Sequence, residues 1–525
     1  MIYFTLPQSP PNVFRHININ SQQTCPPVFI SQSLCNYMND IKNKIYHREK
    51  DWDVYKKYTN PYEYIHSIVP QKKKSISKYK PISRSYFKML EMISVFKLDH
   101  SPAKLPSSVS LENHPIPEQR MSIGIVQQPH ANNSTFLEKP MRTFHLAEGP
   151  GGFIEAICNK RANPADEYYG MTIIIDENDD NVPAWHKTGH FLSQHPNVIL
   201  EYGKDNTGNL LNIENFEHCV KRYGGLMDLV TADGGFDFSK DFNRQEISIT
   251  NLLWGQVCYA ICLQKPGGNF VLKIFDIFYE HTVHILYFLS GMYEEVNVCK
   301  LKTSRIGNSE KYVVCRKFRG IAFSELYPFI LESFSKIKHQ NGTPGFDNFR
   351  FSFDIGASND NIYKSWISSD YFRHRVGPKI DIFAKEPNSA EICESYIWRI
   401  LDCDIPRHFT KHIEDVNAIF GQQQIENIHY TISLIDKQPK QDKLDQLVKQ
   451  NITKCMNWCV EHSIAYNNFV TANLFEQGQG QGQGNQGSLR NPPSIGSIGF
   501  TDFEEGSKSE IFRRYDAGAS NENKI

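Results

Sequence analysis

Lys273 stands inside an otherwise apolar run, Asn269-Phe270-Val271-Leu272-Lys273-Ile274-Phe275. An ammonium group among such neighbours is costly to bury unless it has partners or a task. Its alternative is to lie at a strand end and reach out to water. A second run, 226–232, ends in Asp233-Gly234-Gly235-Phe236, an acid and two glycines of the kind a ligand site uses at a strand's carboxyl end. A third segment, Ala147-Glu148-Gly149-Pro150-Gly151-Gly152-Phe153, follows Phe144-His145-Leu146 and precedes a helical pattern. Glycines at a strand-to-helix turn let the backbone approach a ligand, and the helix start offers free N–H groups. The same turn fits any tight connection in an α/β protein or a nucleotide phosphate site. It lacks the Lys-Ser/Thr of a P-loop and the G-x-G-x-x-G of dinucleotide folds. Fourth, Ser304-Arg305-Ile306-Gly307-Asn308-Ser309-Glu310 sets an acid just before a final apolar run. Taken alone, Glu310 reads as a surface acid. Lysines and acids together suit proton transfer and the stabilisation of developing charge.

These residues need a scaffold that gathers them. Apolar runs at 143–147, 169–175, 197–202, 226–232, 268–274, 295–301 and 311–316 read as strands, with helices at 152–160, 243–265 and 281–291 between them. Such alternation predicts an α/β fold with a doubly wound, mostly parallel sheet, which binds ligands at the carboxyl ends of its strands. All four segments fall there. Residues 1–40 are polar without sustained periodicity, and 41–100 read as helical. The latter ends in a stripe of Phe87, Leu90, Ile93 and Phe96 at three-residue spacing. Residues 1–83 are an N-terminal basic and aromatic extension, 84–318 the catalytic-type domain with a proline-rich insertion at 101–140, and 319–475 a helix-leaning C-terminal region. Amphipathic helices are expected in that last region near 390–400, 408–420 and 440–465. The Gln-Gly repeat at 477–484 and the rest of 476–525 read as a disordered tail.

The net charge of −1 hides a local imbalance: residues 41–100 hold 14 Lys/Arg against six Asp/Glu, a net of +8. Lys72, Lys73 and Lys74 are interleaved there with Tyr55, Tyr58, Tyr62, Tyr64, Tyr79 and Tyr86. Cations with aromatics suit phosphate contact and base stacking, the alternative being a solvated loop. Twelve scattered cysteines, none in a C-x-x-C pair, point to reduced thiols with no metal site. The absence of any bilayer-length apolar stretch or secretory leader points to an intracellular protein with no membrane partner.

The chain resembles the FtsJ-like RNA ribose 2′-O-methyltransferases, and within them the cap-specific mRNA enzymes of eukaryotes and large DNA viruses. The resemblance covers roughly 84–318 and rests on six segments: S-R-S-Y-F-K-M-L-E, A-E-G-P-G-G-F, Y-G-M-T, D-G-G-F, G-G-N-F-V-L-K-I-F-D and S-R-I-G-N-S-E-K-Y-V-V-C. It implies a Rossmann-like methyltransferase sheet flanked by helical N-terminal and mixed C-terminal extensions. The family's Lys-Asp-Lys-Glu tetrad carries over onto Lys88, Asp233, Lys273 and Glu310. The S-adenosylmethionine site carries over onto residues 147–153, with Asp176 at the end of the second strand, Gly208 and Asn209 in a following turn, and Asp233. A ribose 2′-hydroxyl gives up its proton only well above neutral pH, and a lysine takes it when a nearby cation loosens the lysine's own proton. Lys273 is read as the base and Lys88 as the group that positions the hydroxyl, with the exchanged assignment open. Asp233 and Glu310 hold the two ammonium groups.

Two positions depart from the family. His145 stands where many methyltransferases carry an acid, and Glu148, inside the turn, either replaces that acid or faces solvent. Asn209 replaces an aspartate. The resemblance implies the capped 5′ end of mRNA as partner, with other capping or transcription proteins beside it. The compartment implied is the nucleus for a cellular protein, or the cytoplasm, viral factory or virion for a viral one. The expected reaction is 2′-O-methylation of the first transcribed nucleotide; methylation of the second or of ribosomal RNA, and a non-catalytic RNA-binding subunit, are the alternatives. The segments at 1–80 and 320–475 exceed what a minimal ribosomal RNA enzyme needs, and an intact tetrad and glycine turn speak against lost activity.

Overall fold

A computed structural model describes residues 1–100, 139–174, 185, 188–235, 242–337 and 396–469. The readings made for the 101–140 insertion (save its last two residues), for Asp176, for Phe236 and for the 476–525 tail lie outside the described residues. All seven expected strands form: β3 (Arg142–Leu146), β4 (Glu167–Met171), β5 (Val198–Glu201), β6 (Met227–Ala232), β7 (Gln264–Ile274), β8 (Tyr293–Lys300) and β9 (Lys311–Phe318). They join an eighth, β1 (Ile2–Thr5), in the order β1-β8-β9-β7-β6-β3-β4-β5. The five strands from β5 to β7 are parallel, while β9 runs antiparallel to both β7 and β8. Because β3 to β7 are parallel, their carboxyl ends meet at one edge. The turns after Leu146 and after Ala232 are neighbours there, and Asp233 N donates to Leu146 O at 3.3 Å.

Side-chain alternation along the strands sorts the two faces. Phe270, Leu272 and Ile274 pack on one face under α6 (Ile213–Tyr223), α8 (Thr250–Leu263), α9 (Glu280–Met292) and α10 (Phe323–Ser335). Val271 of β7 and Tyr312 and Val314 of β9 pack on the other, under α3 (Ser85–Phe96), α4 (Gly152–Arg161) and α12 (Gln441–Glu461). Lys273 shares this second face with Val271, two residues earlier. The three-residue stripe on α3 is buried as expected.

Three expectations are corrected. Residues 1–40, read as unpatterned, contain β1, β2 (Ile17–Gln22) and the start of α1 (Gln32–Tyr46). The helix expected near 390–400 is instead the strand β10 (Tyr396–Leu401), paired antiparallel with β2 through a shifted register. The single helix expected over 243–265 is two, α7 (Gln245–Ser248) and α8, separated at Ile249. Helix α11 (Arg407–Lys437) is longer than expected and packs Ile425, Ile428 and Ile432 against Met38, Ile41 and Ile45 of α1.

Helices α1 and α11, from opposite sides of the sheet domain in sequence, thereby meet near the end of β7. Lys42 of α1 donates to Asp276, just beyond β7, at 2.7 Å, and Lys311 of β9 reaches the same carboxylate at 3.2 Å. Ser309 also donates to it at 2.9 Å, and Gln424 of α11 bonds Gly307 O at 3.1 Å. Burial alone would raise the Asp276 carboxyl, but the two ammonium groups and these hydrogen bonds hold it well below the usual carboxylate range. Asp276→Ala strands two buried ammonium groups, so it should lower unfolding stability by about 3–5 kcal/mol in chemical denaturation. An unchanged midpoint would mean that water, not Asp276, solvates the two lysines.

Candidate active site

The glycine turn lies between β3 and α4. Gly151 adopts φ +109°, a conformation disfavoured for residues with a Cβ, and Ala147 adopts φ +51°. A Cβ on Gly152 would collide with the hydroxyls of Ser83 and Ser85, so the turn abuts the start of α3. Glu148 is buried and does not face solvent. Its Oε1 accepts from the N–H groups of Phe153 (2.6 Å) and Ile154 (3.2 Å), capping the first turn of α4. Burial and the Asp233 carboxylate push its carboxyl well above the usual range. Phe153 supplies that N–H while its ring is in the core. His145 is fully buried and bonds the hydroxyls of Thr143 and Thr231, both at 2.8 Å, tying β3 to β6. Burial holds its imidazole down at about 3, so it is neutral and structural.

The turn after β5 approaches from the other side. Gly208 has φ +65°, and a Cβ there would strike the Thr172 carbonyl just past β4. Asn209 Oδ1 accepts from Leu211 N at 2.9 Å. Asp205, to which the sequence alone assigns no role, organises the turn: it accepts from Thr207 N (2.9 Å), Asn215 Nδ2 (2.8 Å) and Asn212 Nδ2 (2.6 Å). The pattern D-N-T-G-N, an Asx-type turn, was the available signal. Gly149–Gly152, Gly208 and Asp233 thus lie along one edge of the sheet.

Beside this ring the four charged residues come together from four elements. Lys88, mid-α3, donates to Glu310 Oε2 at 2.7 Å. Lys273 lies 3.3 Å from Asp233 Oδ1 and donates to Asp233 O at 2.7 Å. The two pairs are bridged by Tyr312, whose hydroxyl lies 3.3 Å from Lys88 Nζ and donates to Asp233 Oδ1 at 2.8 Å. Tyr312 belongs to the S-E-K-Y segment, where nothing in the sequence gives it a role. It reaches Asp233 because it directly faces Lys273 across the β7–β9 ladder. Ser304 donates to Glu310 Oε1 at 2.5 Å. Burial favours a neutral Glu310, yet the ammonium groups of Lys88 and Lys273 and these two hydrogen bonds keep it ionised far below the usual range. The side chains of Lys88, Glu310, Lys273 and Asp233 are 9, 15, 13 and 16 % exposed, enough to meet a substrate atom while remaining largely dry. Two ammonium and two carboxylate groups make the cluster formally neutral.

Helix α3 also fixes the loop that carries Glu310. One turn beyond Lys88, Glu91 is buried and accepts from Lys302 N (2.8 Å) and Thr303 N (3.2 Å). The aromatic interleaving of the basic stretch is corrected at two positions, since Tyr64 and Tyr86 are core residues; Tyr79 donates its hydroxyl to Glu155 at 2.7 Å but keeps its ring exposed, and Tyr55, Tyr58 and Tyr62 are half-buried.

The sheet order and the glycine-lined edge define a Rossmann-like methyltransferase fold. Residues 126–318 match the FtsJ-like methyltransferase family, and the chain carries an FtsJ-like methyltransferase domain. It is 26% identical over 341 residues to a "Cap-specific mRNA (nucleoside-2′-O-)-methyltransferase 2" of Drosophila melanogaster, covering 61% of this chain and 43% of that protein. Over 121 residues it is 43% identical to a "Cap-specific mRNA (nucleoside-2′-O-)-methyltransferase 1" of Trypanosoma brucei brucei, 23% of this chain and 33% of that one. The protein of the same name from Trypanosoma cruzi is 31% identical over 42% of this chain and 56% of its own length. The chain thus spans between a third and just over half of the length of these curated relatives. Among the described residues, no helix is long and apolar enough to cross a membrane.

Proposed function

We propose that the chain transfers a methyl group from S-adenosylmethionine to the ribose 2′-hydroxyl of the first transcribed nucleotide of capped mRNA. The observation that carries this reading is the Lys88–Glu310 and Lys273–Asp233 cluster, bridged by Tyr312 beside a glycine-lined strand edge. The edge fits the donor because the positive φ of Gly151 and Gly208 and the close packing of Gly152 on α3 and of Gly208 on Thr172 bring the turns after β3 and β5 to the same edge as Asp233. Residues 147–152, 208–209 and Asp233 would hold it. When bound, S-adenosylmethionine supplies an electrophilic methyl on a sulfonium.

This chain's residues do the rest. Lys273 Nζ, held in place by Asp233, first releases its extra proton to solvent, and as the neutral amine it then takes the 2′-hydroxyl proton and returns to an ammonium. Lys88, steadied by Glu310, lies against the oxygen as negative charge grows on it. Transfer is an in-line displacement, so holding the ribose at a fixed angle contributes as much as proton removal. The names of the relatives, cap-specific and nucleoside-2′-O-, support a capped substrate over ribosomal RNA. Those names also carry both numbers, 1 and 2, so methylation of the second nucleotide is retained as the alternative.

The test is methyl transfer from labelled donor onto capped and uncapped RNAs of one sequence, followed by nuclease mapping of the labelled ribose. Label confined to the first nucleotide of the capped RNA is expected. Equal transfer to uncapped RNA would remove the cap from the reading.

A further inference from the structure

The segment between Tyr64 and Leu90 contains seven Lys/Arg residues and no Asp or Glu. Five of them, Lys72, Lys73, Lys74, Lys78 and Lys80, are exposed, Arg84 is half-buried, and Lys88 is buried in the four-residue cluster. None of the five exposed lysines forms an ion pair among the described residues, so their charge is uncompensated nearby. The segment is not a loose loop. Ile76 is fully buried, Ile76 N donates to Tyr64 O at 2.8 Å, and Ser77 N to Ile65 O at 3.0 Å. On its other side Lys78 N donates to Ala465 O and Asn467 N to Ile76 O, both at 2.8 Å.

Arg84 is the point where this file meets the site. It lies one helical turn before Lys88, so the two side chains share a face of α3. Its flanking serines, Ser83 and Ser85, touch the glycine turn at Gly152. Among the described residues its guanidinium makes one hydrogen bond, from Nη2 to Thr303 O at 3.3 Å. The neighbouring carboxylate that would otherwise take it, Glu63, is claimed by Arg305 through two bonds of 3.0 and 2.8 Å. A planar cation with spare donors, one helical turn from Lys88 and with Glu63 already engaged by Arg305, matches a phosphodiester oxygen pair.

We propose that Arg84 grips the RNA phosphate next to the target ribose, as the innermost member of a cationic file running from Lys72 to Arg84 along which the RNA backbone lies. This deepens the methyltransferase reading and rests on it for the identity of the ribose, though not for the binding itself. A phosphate held at Arg84 fixes one end of the nucleotide while Lys88, one turn further in, meets its hydroxyl.

The test uses the full chain and a short capped oligoribonucleotide, with affinity measured by fluorescence anisotropy across a salt series. Removing one cation from a single strand's phosphates flattens the slope of log K against log salt by about 0.7. Arg84→Gln should flatten it by about that amount, raise KM for RNA and lower kcat, with donor affinity kept near wild type. Arg84→Lys should restore the slope, since the charge returns, but not the full kcat. The combined Lys72→Gln, Lys73→Gln, Lys74→Gln variant should flatten the slope further than Arg84→Gln does. Folding is checked by thermal midpoint. If Arg84→Gln keeps the wild-type slope and KM, the proposal is overturned and the residue only braces Thr303. If the slopes change as expected but Lys273→Ala remains active, the RNA site stands and the catalytic reading fails.

Discussion

Lys273→Ala is expected to lower methyl transfer to capped RNA by at least about a thousandfold while donor affinity and thermal midpoint stay close to wild type. General-base removal costs roughly a hundredfold to ten-thousandfold, and the lost positioning of Asp233 adds to it. The loss falls on turnover because the proton moves only in the transition state. Asp233→Ala removes the carboxylate that Lys273 and Tyr312 both contact, so its effect should be of similar size. The double variant should be little worse than either single one, since residues sharing one hydrogen-bond network do not act additively. Steady-state kinetics with saturating donor measures all three. A Lys273→Ala protein that keeps a tenth or more of wild-type turnover has a structural lysine there, and another group is the base.

Gly151→Arg should abolish donor binding, with a loss in affinity of at least about a hundredfold by calorimetry. At φ +109° any side chain is strained, on the order of 1–3 kcal/mol, and an arginine at this turn would also crowd Thr188 and Trp185. Gly208→Val is the companion, because its Cβ would strike the Thr172 carbonyl at the opposite wall. A Gly151→Arg protein that binds S-adenosylmethionine normally and melts normally would show that the donor lies elsewhere.

Much of this site was legible before any coordinates, and for physical reasons. β6, β7 and β9 are buried on both faces, so their apolar runs are long and interrupted only where a side chain has a task. Lys273 was conspicuous because desolvation makes an idle lysine there improbable. The glycines were visible because φ above zero or a blocked Cβ leaves few other residues possible. Glu310 and Lys88 were not visible by themselves: one reads as a surface acid and the other sits in an ordinary amphipathic helix. The resemblance joined them. What failed had weaker local signals. β2 and β10 form a two-stranded, half-exposed ribbon with register shifts, so neither shows clean alternation, and Tyr396–Leu401 reads equally as a helix. Residues 1–40 hold β1 at the sheet's edge, a four-residue strand too short for a period. Tyr64 and Tyr86 read as stacking faces because composition does not separate a ring in the core from one at the surface. The direction of Glu148 depends on the N–H groups of α4 competing for it, which no spacing rule records. Asp276 is in plain sight at the end of G-G-N-F-V-L-K-I-F-D, but its partner Lys42 is 234 residues away.

That separation bears on how the molecule is made. Asp276, just past β7, leaves the ribosome long after Lys42 and well before Gln424, whose bond to Ser309 spans 115 residues. At about 5–20 residues per second, translation leaves the finished sheet without α11 for on the order of ten seconds. The contact between Thr59 and Thr431, 372 residues apart, closes later still. Through that interval the apolar stripe of α1 destined for α11, Met38, Ile41 and Ile45, is bare, with two lysines waiting on an incomplete network. A nascent chain cut short before residue 437 would be left with that stripe open and prone to aggregate.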